Sequence, residues 1–482
     1  MNQEVGIVKH VRDFLVIVEG LPTIKINDLV ETEGGMGVVS ALLEEQVSVW
    51  MLRDTEVKPG QMVKRSAKRL TLNIGEFLLG RAIDPLGIPI DGKRMLSEAS
   101  KSFELEKKAP GISGRQFIKD QFDSGILFVD TLLPLGRGQR ELVLGDARSG
   151  KTSFLIDLIV NQKGTGAICI YASIGKPLTD LKKLLDILSI NKALEHTVIV
   201  GASSSDPPPL IFIAPKTAFT IAEYFQSKGK HVLLILDDLG NHAKIYREMS
   251  LLEGRSPGRE SYPGDIFYQQ AHLLERAGNF NESEGGGSIT AIPVMEVNLA
   301  DFTTFIPTNL MAMTDGHILF TSSLYNRGQR PAIDLSLSVT RVGGQTQGRV
   351  QNALATRVKT VITQASEFAT LSRFREELPS ETQLILRQKE LIEEFLQQDP
   401  LTPYSVELQM FLFGLVFTKF LEDKDKHFIR LYKKKLIEAF TKNPKVAAFA
   451  KKIPSFTSEQ ALLTELEELE PTLTEICSLL NK

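Results

Sequence analysis

The spacing of apolar and polar positions changes twice along this chain. Over about the first seventy residues, short apolar runs at 6–11, 14–19, 37–42 and 47–52 are separated by turn formers such as Gly20, Gly34, Gly35, Pro59 and Gly60. That pattern predicts short strands closing into a small β-barrel. From about residue 74 to 344, strand-like runs (167–172, 197–200, 232–236) alternate with helical ones (178–188, 217–226). Such β-α-β alternation predicts a largely parallel sheet. Beyond about residue 350, Leu, Glu, Lys and Phe recur at helical spacing over 381–398, 406–420, 427–441 and 458–469, which predicts a helical domain. The expected organisation is multi-domain α/β: an N-terminal β-barrel over 1–72, an α/β core over 73–349 and C-terminal helices over 350–482.

Length agrees with this division, because 482 residues make about three domains at the usual ~150 residues each. Charge is nearly balanced, with 56 Lys plus Arg against 59 Asp plus Glu. No basic field of the kind that dominates nucleic-acid affinity is expected, and nucleic acid is not an expected partner. The Lys433–Lys435 cluster reads as a solvated helix face. Cys169 and Cys477, the two cysteines, are far apart and suggest no disulfide framework. No apolar stretch is long enough to span a bilayer and no leader-like segment opens the chain, so membrane association is expected through partners.

Candidate chemistry concentrates in GDARSGKTS, made by Gly145, Asp146, Ala147, Arg148, Ser149, Gly150, Lys151, Thr152 and Ser153. It follows the apolar run 142–144 and opens the helical run 152–160. Gly145 and Gly150 let the backbone turn tightly and aim its N–H groups at phosphate oxygens. Lys151 offers a point charge to the outer phosphates, and the Thr152 hydroxyl can ligate Mg2+. A ligand-free glycine turn is the bland alternative, and the strand before with the helix after argues against it. Downstream, the run 232–236 ends in Asp237 and Asp238, as a central parallel strand ends at a ligand-binding edge. By position, Asp237 would hold Mg2+ through its water shell.

An ordered series of longer motifs runs through the chain. It comprises LGRGQREL (135–142), ILDDL (235–239), PGRESYPGD (257–265), LLERA (273–277), GGGSITAIPV (285–294), IPTNL (306–310), TDG (314–316) and RPAIDLSLSVTRVGG (330–344). Over nearly its whole length the chain resembles the alpha subunits of rotary F-type ATP synthases, and PGRESYPGD and SVTRVGG favour alpha over the catalytic beta branch. The resemblance implies a RecA-like phosphate-loop core that binds ATP or ADP with Mg2+. It further implies an alternating hexamer with a beta-type catalytic subunit around a gamma-type shaft. That assembly would serve H+ or Na+ transport through a membrane sector, with this chain peripheral on the cytoplasmic face.

In catalytic subunits of that family the strand after the phosphate loop leads into Gly-Glu-Arg, whose glutamate polarises the attacking water. Here the residues are Ile174, Gly175 and Lys176. A lysine ammonium only donates and cannot orient a water as a carboxylate does, so retention without turnover is expected; Asp180 and Asp238 are the alternative carboxylates. The resemblance makes Arg341 an arginine finger acting in the neighbouring subunit's site. By pattern alone it reads equally well as an arginine salt-bridged at a strand end. The resemblance also places Tyr325 and Arg330 beside the nucleotide and Gln398 near the base. Pro400 replaces a second glutamine, which leaves ATP over GTP an expectation from the family alone. Ala147, Arg148 and Ser149 replace Arg-Gln-Thr, Ala312 replaces a serine, and the family's leading stator-binding segment has no counterpart before the barrel. A ring driving a process other than synthesis, and a self-sufficient homohexameric secretion or translocase ATPase, are the alternative readings.

Overall fold

The computed structural model describes residues 4–53, 56–94, 101–298, 301–371 and 379–478. They form two compact units. The first spans Met1–Ile118, Arg137–Ala147 and Gln162–His317, and the second spans Lys119–Gly136, Arg148–Asn161 and Ile318–Lys482.

In the first unit, six strands close into a barrel in the order β1–β2–β5–β4–β3–β6: β1 (Val5–Arg12), β2 (Leu15–Glu19), β3 (Asp28–Thr32), β4 (Gly35–Leu42), β5 (Gln46–Met51) and β6 (Met62–Arg69). The inside is packed with β-branched side chains, among them Val16, Val18, Val30, Val39, Val49 and Val63, which fit a pleated, half-buried surface. Strands β1, β2, β4 and β5 match the sequence expectation to within two residues at each end. β3 and β6 carry no clear apolar alternation. Their pairing is helped by polar contacts instead: Arg65 on β6 donates to Asp28 on β3 at 2.7 Å and to Glu4 at 3.3 Å. A periodicity search is blind to such contacts.

The same unit holds a sheet of parallel neighbours in the order β8–β12–β11–β9–β10–β7. Its strands are β7 (Ala82–Ile83), β8 (Leu142–Gly145), β9 (Ile168–Lys176), β10 (Thr197–Ser203), β11 (His231–Asp237) and β12 (Ser288–Glu296). Parallel strands need long crossovers, here supplied by helices Leu178–Ile190, Pro208–Gln226 and Leu239–Leu252. Covered on both faces, the strands read as unbroken apolar runs, and Val232 to Leu236 are at most 1% exposed. Parallel running also puts the C-terminal ends Gly145, Lys176, Ser203, Asp237 and Glu296 along one edge, where such sheets place ligands.

The second unit is mainly helical: Arg349–Leu371, Ser380–Leu396, Val406–Val416, Lys426–Lys442, Pro444–Lys452, Glu459–Glu468 and Glu470–Ser478. Ser405, Asp425, Asn443 and Ser458 cap four of these by accepting a backbone N–H from the first turn, which satisfies donors a helix start leaves open. Helix Val406–Val416 is almost wholly buried. Gln409 on it donates to Asp130 at 2.7 Å, and the same carboxylate accepts from Ser124 Oγ at 2.6 Å and from the Ser124 and Gly125 amides at 2.8 and 2.9 Å. One reading of the sequence is corrected here. Lys433 is not on a solvated face but donates to the Glu394, Phe395 and Gln397 carbonyls, closing the C-terminal end of Ser380–Leu396. A cation at that end also opposes the helix dipole. Among the described residues no helix is long and apolar enough to cross a membrane.

Candidate functional site

The phosphate-loop segment leaves the sheet at Gly145, the last residue of β8, and enters helix Lys151–Asn161. Gly150 has φ +96°, and a Cβ there would stand 3.4 Å from the Tyr325 ring. The left-handed backbone is what selects glycine there, since the aromatic ring stands at ordinary contact distance. Arg148, one of the departures from the family loop, also adopts a left-handed backbone (φ 58°) and is exposed, as is Ala147. Asp146 is half-buried, Ser149 and Lys151 are buried, and Thr152 and Ser153 are exposed on the helix's first turn.

Within the second unit, Ser149, Gly150, Ser153, Tyr325, Arg330 and Gln398 line one cleft. The structure thus brings together the loop and the three distant residues that the resemblance marked. Arg330 lies over the Tyr325 ring at 3.5 Å and donates to the Tyr325 and Gln329 carbonyls at 2.7 and 2.8 Å. Its backbone N–H donates to Gln397 at 2.8 Å, a side chain the sequence did not single out. Gln398 is fully engaged with backbone: it accepts from the Leu127 amide at 2.8 Å and donates to the Gly125 and Thr402 carbonyls at 2.8 and 2.7 Å. Pro400 and Asp157 also face the cleft.

Asp157 is a half-buried acid whose only hydrogen bond among the described residues comes from the Leu401 amide at 2.7 Å. Burial raises its pKa to about 6, with that amide opposing. A carboxyl that binds its proton more tightly in the folded chain than at the unfolded value of about 3.9 adds stability at low pH that is lost as pH climbs to about 6. Relative to Asp157→Asn, wild type is therefore expected to lose about 2 kcal/mol between pH 4 and 7, read by urea titrations of both proteins across that range. Parallel curves would contradict it.

In the first unit the edge carboxylates differ from each other. Asp238 caps helix Leu239–Leu252 by accepting from Asn241 N at 2.7 Å, and accepts from Glu296 N at 2.8 Å; it is structural. Asp237 is 1% exposed. It accepts the Tyr171 hydroxyl and forms an ion pair with the Lys176 ammonium. Burial, and next the Asp237 charge, push the Tyr171 phenol well above its ordinary pKa, so it remains a donor. Tyr171 was not foreseen. The available signal was a phenol within a mainly apolar strand, two positions before Ser173, the register partner of Asp237.

Arg341 directly follows the short strand Val339–Thr340, is exposed, and among the described residues has no hydrogen-bond or ion-pair partner. The salt-bridged alternative has no support there. The backbone around it is fixed: Thr340 Oγ1 donates to the Pro134 carbonyl at 3.0 Å, Gly343 N donates to Thr340 Oγ1 at 3.3 Å, and a Cβ on Gly343 would collide with that same carbonyl. The TDG and LGRGQREL motifs also explain each other. Arg140 forks onto Asp315 at 3.0 and 3.3 Å, with its backbone N–H adding a third bond at 2.9 Å.

Comparison with known proteins agrees with this geometry. Residues 125–340 match the model for the nucleotide-binding domain of the ATP synthase alpha/beta family, and 347–469 match the C-terminal domain of the ATP synthase alpha/beta chain. An ATP synthase subunit alpha from Metamycoplasma arthritidis (strain 158L3-1) is 39% identical over 444 residues, covering 92% of this chain and 84% of that protein. Another, from Aquifex aeolicus (strain VF5), is 40% identical over 436 residues, covering 90% and 86%. With a phosphate loop leaving a parallel sheet, a helical C-terminal region and this likeness over most of its length, the chain belongs to the ATP synthase alpha/beta family, as an F-type alpha subunit.

Proposed function

We propose that this chain binds a nucleotide without turning it over and contributes Arg341 to the catalytic site of a beta-type neighbour. The two would alternate in a hexamer around a gamma-type shaft, supporting ATP synthesis or hydrolysis coupled to H+ or Na+ movement through a membrane sector. The chain itself would be peripheral, on the cytoplasmic face. Domain limits near 72/73 and 349/350 go with this reading.

The nucleotide, ATP or ADP, would lie with its phosphates against Gly145, Asp146, Ala147, Arg148, Ser149, Gly150, Lys151, Thr152 and Ser153. Gly150 suits that role because its left-handed backbone, φ +96°, lets the loop turn tightly where other residues would be strained. Tyr325 and Arg330 would flank the ligand, and Gln398, held by three backbone groups, would act as a fixed wall rather than a swinging donor. Thr152 and Asp237 are hard oxygen donors of the kind Mg2+ takes, the first directly and the second through water. The ion would neutralise phosphate charge there.

The observation that carries the noncatalytic reading is the Lys176–Asp237 pair. Where water activation needs a carboxylate acceptor, the strand end presents an ammonium with three donors and no lone pair. The purified chain is expected to bind MgATP while showing negligible steady-state phosphate release. Sustained multiple turnover by the chain alone would refute this reading.

A further inference from the structure

Lys176 reaches Asp237 because of an irregularity in β9. Up to Ile174 the strand pairs regularly with β10, Ile174 opposite Ala202, but the next partner of Ser203 is Lys176 rather than Gly175. Gly175 is the extra residue, and its φ of +64° is one that a side chain resists. A bulge of this sort re-aims the residue that follows it. On the other side of β9 the parallel register sets Ser173 beside Asp237. Asp237 is the last residue of β11, and it receives the Lys176 ammonium and the Tyr171 hydroxyl together. The carboxylate is 1% exposed, and a buried charge of that kind is costly unless it is paired. The lysine side chain itself is 26% exposed, so the pair lies at the sheet's ligand edge rather than deep within it.

We propose that Lys176 is a resident counter-ion for Asp237, so that nucleotide retention by this chain depends only weakly on magnesium. This rests on the reading of Asp237 as part of the nucleotide site. In a site whose edge aspartate has no cation of its own, a divalent ion must neutralise both that aspartate and the phosphates, and removing the ion leaves like charges facing each other. Here the aspartate is neutralised by the chain itself. What magnesium still supplies is screening of the phosphates, which Lys151 and the loop amides share. Lys176 thereby sets which form of the ligand is held: the metal-free nucleotide as well as its magnesium complex.

The test is equilibrium dialysis of the full-length chain against ATP in excess Mg2+ and in EDTA, for wild type, Lys176→Gln and Lys176→Arg. Chelation is expected to weaken wild-type binding by no more than about threefold and Lys176→Gln by about tenfold or more. Lys176→Arg, which keeps the cation, should behave as wild type. Thermal melts of the three proteins separate an unfolded variant from an altered site, and if glutamine is not tolerated a loss of about tenfold or more in wild-type affinity in EDTA still overturns the proposal. If all three bind MgATP and lose affinity equally in EDTA, the counter-ion role is overturned and the nucleotide site stands. If wild type binds ATP under neither condition, the site assignment fails and the proposal with it.

Discussion

In a ring assembled with its beta-type partner, replacing Arg341 by alanine is expected to lower ATP turnover by about 10³- to 10⁵-fold, the range that a guanidinium placed on a transferring phosphoryl group is worth. ATP binding to this chain should be unchanged, because the residue lies in the short segment after Val339–Thr340 and is absent from the cleft lined by Gly150, Tyr325 and Arg330. The structural basis is a contrast. The backbone on either side is pinned to Pro134 through Thr340 and Gly343, while the guanidinium is exposed and, among the described residues, unpaired. An exposed arginine on a fixed mount is a poor use of structure within one chain and a good one across an interface. Arg341→Lys should recover only part of the rate, since an ammonium is a point charge and cannot fork onto two oxygens. Unchanged turnover in the alanine ring would end the assignment.

The second large effect concerns the support of the sheet. Arg276→Met is expected to destabilise the chain by about 3–5 kcal/mol, the usual result of breaking a buried ion pair from one side. Arg276 is 2% exposed. It donates to Glu223 at 2.7 Å, to Thr220 Oγ1 at 3.0 Å and to the Leu105 carbonyl at 3.2 Å, and it lies over the Phe219 ring at 5.4 Å. Three of those partners belong to helix Pro208–Gln226, which packs on the sheet. Removing the guanidinium leaves the Glu223 carboxylate buried, with Lys107 at 3.6 Å its remaining cation among the described residues. The double variant Arg276→Met, Glu223→Met should regain most of the loss, because two apolar groups leave no charge uncompensated. Denaturant midpoints of the two single variants and the double form a cycle that decides it; additive losses would argue that the pair is not coupled.

Much of the architecture was legible because it follows from local rules. Strands β9, β10 and β11 announced themselves as apolar runs, since a parallel strand covered on both faces needs apolar residues throughout. Helices such as Lys426–Lys442 showed because apolar residues recur at helical spacing over 427–441, and the structure adds the Asp425 cap. Strands β3 and β6 did not show, because their pairing draws on Arg65, Asp28 and Glu4 rather than on alternation. The run 406–420 looked like one helix but stops at Val416, where Thr418 turns its hydroxyl and its amide back onto the Leu415 carbonyl before Lys419 restarts it. Lys433 was misread for a related reason: three lysines in a row look alike in sequence, and only the arriving end of another helix makes one of them a cap.

What the sequence by itself determined was the chemistry available: a glycine-bounded loop with Lys151 and Thr152, a strand ending in two aspartates, a lysine in place of a glutamate, and an arginine in a long family block. It carried these because each depends on residue type and short spacing, properties that survive without coordinates. Only the tertiary structure decided how the groups are used. It separated Asp238, a helix cap, from Asp237, an acceptor for Tyr171 and Lys176. It brought Tyr325, Arg330 and Gln398 to the loop from more than 170 residues away, and it left Arg341 exposed while fixing its backbone. The physical reason is that burial and pairing are properties of neighbours: a charge costs little or much according to what the fold sets beside it, and parallel strands with long crossovers choose those neighbours from distant parts of the chain.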